Sequence, residues 1–226
     1  MTAQISDTIQ YAGLPTYRDD ARPEEWTIAG VAGTGLFDPA AHQLKVVAQS
    51  TGCWRGYHCG YRVRDGQLQL VRVTCGLAGK DVERLGMGAG PRLFGAPLRP
   101  RFHTTQAFDP NTGRLGPEEL TPAGDYLVDG LSAAVDFTGG LLLGGDFIRE
   151  LYVHMGFQPA YKYKRVVELT FEHGGLQAAR DHSEAIARYR DQLGEVAGQP
   201  VVPWYLRWFR RLPRLALPPL PFTHRY

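Results

Sequence analysis

Cys53, His58, Cys59 and Cys75 stand close together in the chain and are the residues best suited to hold a soft metal. Their spacing is not that of a zinc finger or ribbon, and on a strand His58 and Cys59 point to opposite faces, so both cannot reach one ion without a bulge. An odd number of cysteines without a CxxC pair also argues against a disulfide framework. The reading is three reduced thiols, with no metal and no cofactor assigned.

A second constellation centres on His154. In a strand, Tyr152 and His154 share one face while Val153 and Met155 take the other, so the polar pair faces outward or into a cleft. An imidazole titrates near neutrality and a carboxylate such as Asp136, Asp146 or Glu150 can orient it for acid/base work. Arg55 and Tyr57, in Trp54-Arg55-Gly56-Tyr57, add a cation and rings that could pair or stack with a ligand, or an aromatic anchor for the sheet core. Arg55, Tyr57, Tyr152 and His154 are therefore the candidate ligand-binding set. No GxSxG nucleophile elbow is present, and neither GGLLLGG nor GMGAG lies between a strand and a helix as a phosphate loop requires, so no catalytic residue is assigned.

The third feature is the C-terminal tail, residues 199–226. A helix from Pro203 would place Trp204, Tyr205, Trp208, Phe209 and Leu212 against Arg207, Arg210 and Arg211, until Pro213 breaks it. The LPPLP that follows favours an extended polyproline conformation. Trp204, Arg207, Trp208, Arg210 and Arg211 could cover the domain's own surface or that of a homodimer, enter a partner protein's groove, or lie on a membrane surface.

What must position these groups is a β-rich chain. At 226 residues it can bury a large core without a metal or disulfide staple, and 27 Gly with 16 Pro suit many strands and turns. A net charge of +2 gives no field suited to nucleic acid, although no acidic residue follows Glu195. The opening MTAQISDTIQYAGLP lacks the basic and apolar regions of a signal peptide, and no apolar run is long enough for a membrane helix, so a cytoplasmic protein is expected.

The clearest local signal is Tyr57–Arg64, Asp65-Gly66 and Gln67–Thr74, a hairpin around a type I′ turn with Tyr61, Val63, Leu68 and Leu70 on its buried face. The change of phase after Leu70 predicts a bulge or a strand buried on both faces. Strand patterns also mark Trp26–Ala32, Gln43–Gln49 and the long Asp136–Phe171 stretch, whose Phe137 and Gly139 echo Trp54 and Gly56. Residues 1–24 read as an irregular lead-in. Gly76–Gly124 excludes long helices and holds one or two strands near Arg99–Phe108, followed by a turn at Asp109-Pro110-Asn111-Thr112-Gly113. Apolar spacing from Leu176 to Val196 predicts a helix over 176–197, stopped by Gly198 and Pro200.

Two blocks, CWRGYHCGYRVRDGQLQLV (Cys53–Val71) and ELYVHMGFQPAYKYKRVVELTFEHGGL (Glu150–Leu176), resemble signatures of a bacterial protein family that has no assigned activity. The resemblance implies a bacterial, cytosolic, β-rich protein, and this chain departs from it in its Gly/Pro-rich middle, helix and basic tail. The expectation is mainly β (α+β): one domain over 1–198, a curved antiparallel sheet or barrel-like body with a C-terminal helix, then the tail. Two functions stay open: a non-enzymatic binding or interaction protein, which the lack of a catalytic motif favours, and a small-molecule binder or enzyme with a pocket at the barrel mouth near His154.

Overall fold

The turn at Asp65-Gly66 is where sequence and backbone meet most directly. Both residues have positive φ, 51° and 74°, as a type I′ turn demands. In the computed structural model, which describes residues 2–13, 24–110 and 113–196, this turn joins β3 (Tyr57–Arg64) to β4 (Gln67–Cys75). They pair antiparallel, with Tyr61 opposite Leu70 and Val63 opposite Leu68. Tyr61, Leu68 and Leu70 are buried, each contributing roughly 1.5–3 kcal/mol relative to exposure. The register shifts between Gly60 and Tyr61, where Val71 is the extra residue, and Val73 and Cys75 resume the inward alternation. The bulge is thus present.

Around this hairpin the other strands form a ring. β1 (Thr8–Tyr11) runs parallel to β3 and antiparallel to β2 (Glu24–Thr34). β2 pairs with β10 (Thr138–Phe147), β10 with β11 (Tyr163–Glu172), and β11 with β12 (Gly175–Asp181). Gly175 of β12 then pairs with Gln67 of β4, and Leu68 N–H to Gly174 O and Leu176 N–H to Gly66 O close the circuit. The interior is filled by Ile9, Tyr61, Leu68, Leu70, Phe137, Leu141, Leu143 and Leu169, among others, as in small barrels whose side chains meet at the centre. The mainly β, barrel-like expectation agrees with this architecture, although the β1–β3 pairing makes the sheet mixed.

The helix is shorter than the apolar spacing implies. Residues from Gly175 to Asp181 form β12, and α2 spans Ser183–Val196 rather than 176–197. Asp181 Oδ1 accepts the Ser183 N–H at 2.8 Å, and Ser183 Oγ accepts the Val166 N–H at 3.0 Å, which fixes the start. Ile186 buries against Ala29, Leu142, Ala160, Tyr163 and Val166, a second core outside the ring. Among the described residues no helix is long and apolar enough to cross a membrane. The tail residues Trp204, Arg207, Trp208, Arg210 and Arg211 lie outside the described residues.

Other expectations change too. The lead-in contains β1, a central strand whose Ile9 and Tyr11 are buried. Gln43–Gln49 is a loop with one bridge, Val46 to Leu77, because a left-handed Gln43 turns the chain there. The stretch from Ile148 to Lys162 between β10 and β11 is irregular, with short 3-10 turns at Arg149–Leu151 and Ala160–Lys162. After β4 come a short helix, α1 (Gly79–Gly86), and a small hairpin of β5 (Arg92–Leu93) and β6 (Ala96–Pro97).

The Gly/Pro-rich middle contains two long strands, one of them the longest among the described residues. β7 (Arg99–Asp109) and β8 (Arg114–Val128) pair with each other along their length, while only Tyr126–Val128 of β8 pairs with β4. β9 (Ala133–Ala134) continues along β4. Among the described residues the rest of β7 and β8 is an arm anchored to the ring only at its base. Pro100, Pro117 and Pro122 are accommodated because the arm has two register shifts and, among the described residues, no strand on either outer edge.

Candidate functional site

The four predicted binding residues fall into two separate chains of rings. In the first, the Arg55 guanidinium lies 4.6 Å from the Tyr57 ring centroid. Tyr57 meets Phe37 edge-on at 5.9 Å, Phe37 stacks on His42 at 5.1 Å, and His42 reaches Phe94 at 4.8 Å. In the second, Tyr163 packs on Phe147 at 5.2 Å, Phe147 on Tyr152 at 6.3 Å, and Tyr152 on His154 at 4.7 Å.

Arg55 is committed within the protein. It ion-pairs with Asp7, and its Nε donates to the Tyr57 carbonyl at 2.7 Å. Asp7 also accepts the Cys59 backbone N–H at 2.6 Å, so one carboxylate ties β3 to the segment before β1. Both side chains are largely buried. Burial disfavours the Arg55 charge, but Asp7 outweighs it and raises the guanidinium pKa. Gly56 has φ 79°, and a Cβ there would sit 2.8 Å from the Val47 carbonyl oxygen, so glycine lets the CWRGY turn fold against the Val46–Val47 loop. Trp54 is 60% exposed and anchors no core, unlike Phe137, which is fully buried; the echo between the two blocks ends there.

Tyr152 and His154 do not sit on a strand. They lie in an irregular segment where Val153 and Met155 are exposed as well. The neighbouring carboxylates have other partners: Asp146 binds Arg165 at 2.7 Å, and Asp136 contacts His173 at 3.0 Å. Beneath this segment Lys162 is buried, donating to Gln158 Oε1 at 2.8 Å, while Gln158 Nε2 donates to the Val153 carbonyl at 2.9 Å. Burial lowers the Lys162 pKa.

The N-terminal segment joins the two neighbourhoods. Ala3 bridges Gly156, and the Gln4 N–H donates to Gly156 O at 2.9 Å. On the other side Gln4 Nε2 donates to Thr51 O at 2.8 Å, Gln4 Oε1 accepts the Trp54 N–H at 3.0 Å, and the Ile5 N–H donates to Gly52 O at 2.8 Å. The two distinctive sequence blocks are thus stitched to opposite sides of residues 3–7. Asp7 and Gln4 do this work without any motif to mark them.

The thiols are equally inward. Cys53, Cys59 and Cys75 are buried and unpaired. Burial pushes Cys75 up to about 12 and Cys59 well above its ordinary value, so these sulfurs stay protonated, which suits neither a nucleophile nor a metal ligand. Burial also holds His58 below its ordinary value and pushes Tyr57 up to about 12. Among the described residues no group of three or more His, Cys, Asp or Glu is disposed to hold a metal ion. A groove of about 210 Å³ is lined by Gln10, Glu25, Gly60, Tyr61, Arg72 and Asp129, among others, and by none of the four predicted residues.

The arm presents the opposite surface. Phe102 pairs with Pro122, Thr104 with Leu120, and Phe108 with Leu115, so these residues share one face of the ribbon. Phe102 is 51% exposed, Phe108 63%, Leu115 63% and Leu120 73%, and none belongs to either core cluster. The other face is polar: Thr121 Oγ1 lies 3.3 Å from both Thr105 Oγ1 and His103 Nε2. The alternation in RFHTTQAF was the signal for this face. Compared with known proteins, the chain matches no family model, no curated protein and no solved structure.

Proposed function

We propose that this chain is a non-enzymatic interaction protein that engages its partner through the β7–β8 arm. The observation that carries the reading is the exposure of Phe102, Phe108, Leu115 and Leu120 on one face of a ribbon that, among the described residues, is held only at its base. Together they expose on the order of 400 Å² of apolar surface, in two groups on either side of the Gln106–Glu118 pair, and exposed apolar surface of this size is often functional. The groups that suggested a pocket at the barrel mouth support it less, since Arg55 is spent on Asp7 and the ring interior is packed with side chains. Buried unpaired thiols fit a reducing compartment such as the cytoplasm.

The test is a photo-crosslinking residue placed at Leu120 of the full chain and activated in cells. Covalent adducts are expected, and they should disappear when Phe102 and Phe108 are both changed to Ser. If Leu120 yields no adduct above the level of a probe on the polar face, at His103, the arm contacts nothing and the reading fails.

A further inference from the structure

The edge of the arm is complementary to itself. Among the described residues β7 is the terminal strand of the ten-stranded sheet, hydrogen-bonded to β8 on one side only, and its outer edge runs from Arg99 to Asp109. A row of unpaired backbone groups of this length is a template for another strand, and edge strands not meant to pair are commonly blunted with lysine. β7 has no lysine.

Its sequence, Pro100-Arg101-Phe102-His103-Thr104-Thr105-Gln106-Ala107-Phe108-Asp109-Pro110, is balanced about Thr105. Laid antiparallel against a second copy with Thr105 opposite Thr105, Phe102 meets Phe108 and Thr104 meets Gln106, while Arg101 keeps its own partner, Asp125, at 2.7 Å within the arm. Pro100 and Pro110 coincide at the two ends, and lacking N–H groups they terminate the ladder. A two-fold axis perpendicular to the sheet keeps both apolar faces on the same side. Each outer row then reads Pro122, Phe102, Phe108 of the second copy and Leu115 of the second copy, continuing the pairs observed within one arm. Directly opposed side chains stand about 4.5–5.5 Å apart at Cβ, close enough for the phenyl rings to pack.

We infer that the arm's partner is a second copy of this chain, joined by antiparallel β7–β7 pairing centred on Thr105. The inference rests on the arm being an interaction element and specifies what it binds. One pair of short edges buries less than the roughly 1,200 Å² of standard stable complexes, so the dimer is concentration-dependent.

Sedimentation of the full chain across micromolar concentrations tests the association, and single cysteines test the register. Mass is expected to rise from 25.1 kDa toward twice that value, and Thr105→Lys with Phe108→Glu should hold it at the monomer. Thr105→Cys should form an intermolecular disulfide in oxidised glutathione, because opposed strand positions have Cα separations within disulfide range. The native thiols are buried, so His103→Cys and Ala107→Cys alone serve as controls and should cross-link at least ten-fold less. A mass of 25.1 kDa at every concentration overturns the inference, as does dimerisation that survives the double substitution, or cross-linking no stronger at 105 than at 103. Adducts from the Leu120 probe to a different protein, with no self-adduct, would overturn self-pairing and leave the interaction reading standing; no adduct of either kind would end both.

Discussion

The N-terminal stitch and the β7–β8 arm invert each other. Around Asp7 the molecule gathers charge, hydrogen bonds and aromatic rings, the materials of a binding site, and uses them to hold strands together. Along the arm it gathers phenylalanine and leucine, the materials of a core, and leaves them in solvent. Residue type alone would assign the roles the other way round. What decides is whether a group's partners come from its own chain: Arg55 has its carboxylate, whereas Phe108 pairs with Leu115 across the ribbon and stays 63% exposed.

The contrast is broken most forcefully at Asp7. Asp7→Ala removes the carboxylate of a largely buried ion pair and the acceptor of the Cys59 N–H, and losing one partner of a buried pair costs about 3 kcal/mol. Thermal denaturation should show a Tm about 6–12 °C lower for a chain of this size. Phe108→Ser with Leu115→Ser, on the arm, should change stability by less than about 0.5 kcal/mol, since neither side chain is in a core. Equal losses at both places would mean that the arm is packed and the contrast false.

A smaller effect follows from the buried thiols. Cys75 ordinarily ionises near 9.0 and is pushed up to about 12 by burial. The unfolded chain therefore loses its proton first as pH rises, so the thiol's contribution is intact below pH 9 and fades between about 9 and 12, by up to about 1.4 kcal/mol per pH unit. Cys59 and Tyr57 act in the same direction. Urea titrations between pH 8 and 11 should show stability falling with pH, less steeply in Cys75→Ala and unchanged in slope in Phe108→Ser. A flat profile in the unaltered chain would mean the interior admits hydroxide or water to these sulfurs.

Much of the ring could be read from the sequence because its signals are local. Asp65-Gly66 specifies its own turn, and the apolar runs of β10 and β11 need no distant information. Local pattern misleads where two periods coincide or where the partner is remote. Leu176 and Ala179 suit a helix face by spacing, but pairing with β11 makes them strand, and only the Asp181–Ser183 cap marks where the helix begins. Tyr152-Val153-His154-Met155 alternates like a strand, yet the chain reverses between the 3-10 turn at Arg149–Leu151 and the one at Ala160–Lys162, so no neighbour strand is aligned to pair with it. β1 is four residues long, too short for periodicity to declare itself. The candidate site was less legible still: the carboxylate that occupies Arg55 lies 48 positions away, and no spacing rule connects Asp7 to it.

The smallest predicted effect concerns His154, and it sharpens the comparison by asking whether the second ring chain belongs with the stitch or with the arm. Its imidazole is exposed, its one ring contact among the described residues is Tyr152 at 4.7 Å, and the neighbouring carboxylates Asp136 and Asp146 contact other residues. Tyr152 contacts both Phe147 and His154, and an aromatic pair is worth about 0.5–1.5 kcal/mol beyond burial. Tyr152→Ala should therefore lower stability by about 1 kcal/mol and His154→Ala by less than about 0.5 kcal/mol. A thermal-shift screen of metabolites run on both variants and on the unaltered chain gives the second axis. If no compound stabilises the unaltered protein in a way that His154→Ala abolishes, this segment is a rim of the fold, tied down through Gln158 and Lys162, and the arm remains the proposed interaction surface. A compound lost only with His154 would instead move the functional centre to the seam that residues 3–7 hold together, and would make Gln4 and Gly156, which carry no chemistry of their own, the next positions to alter.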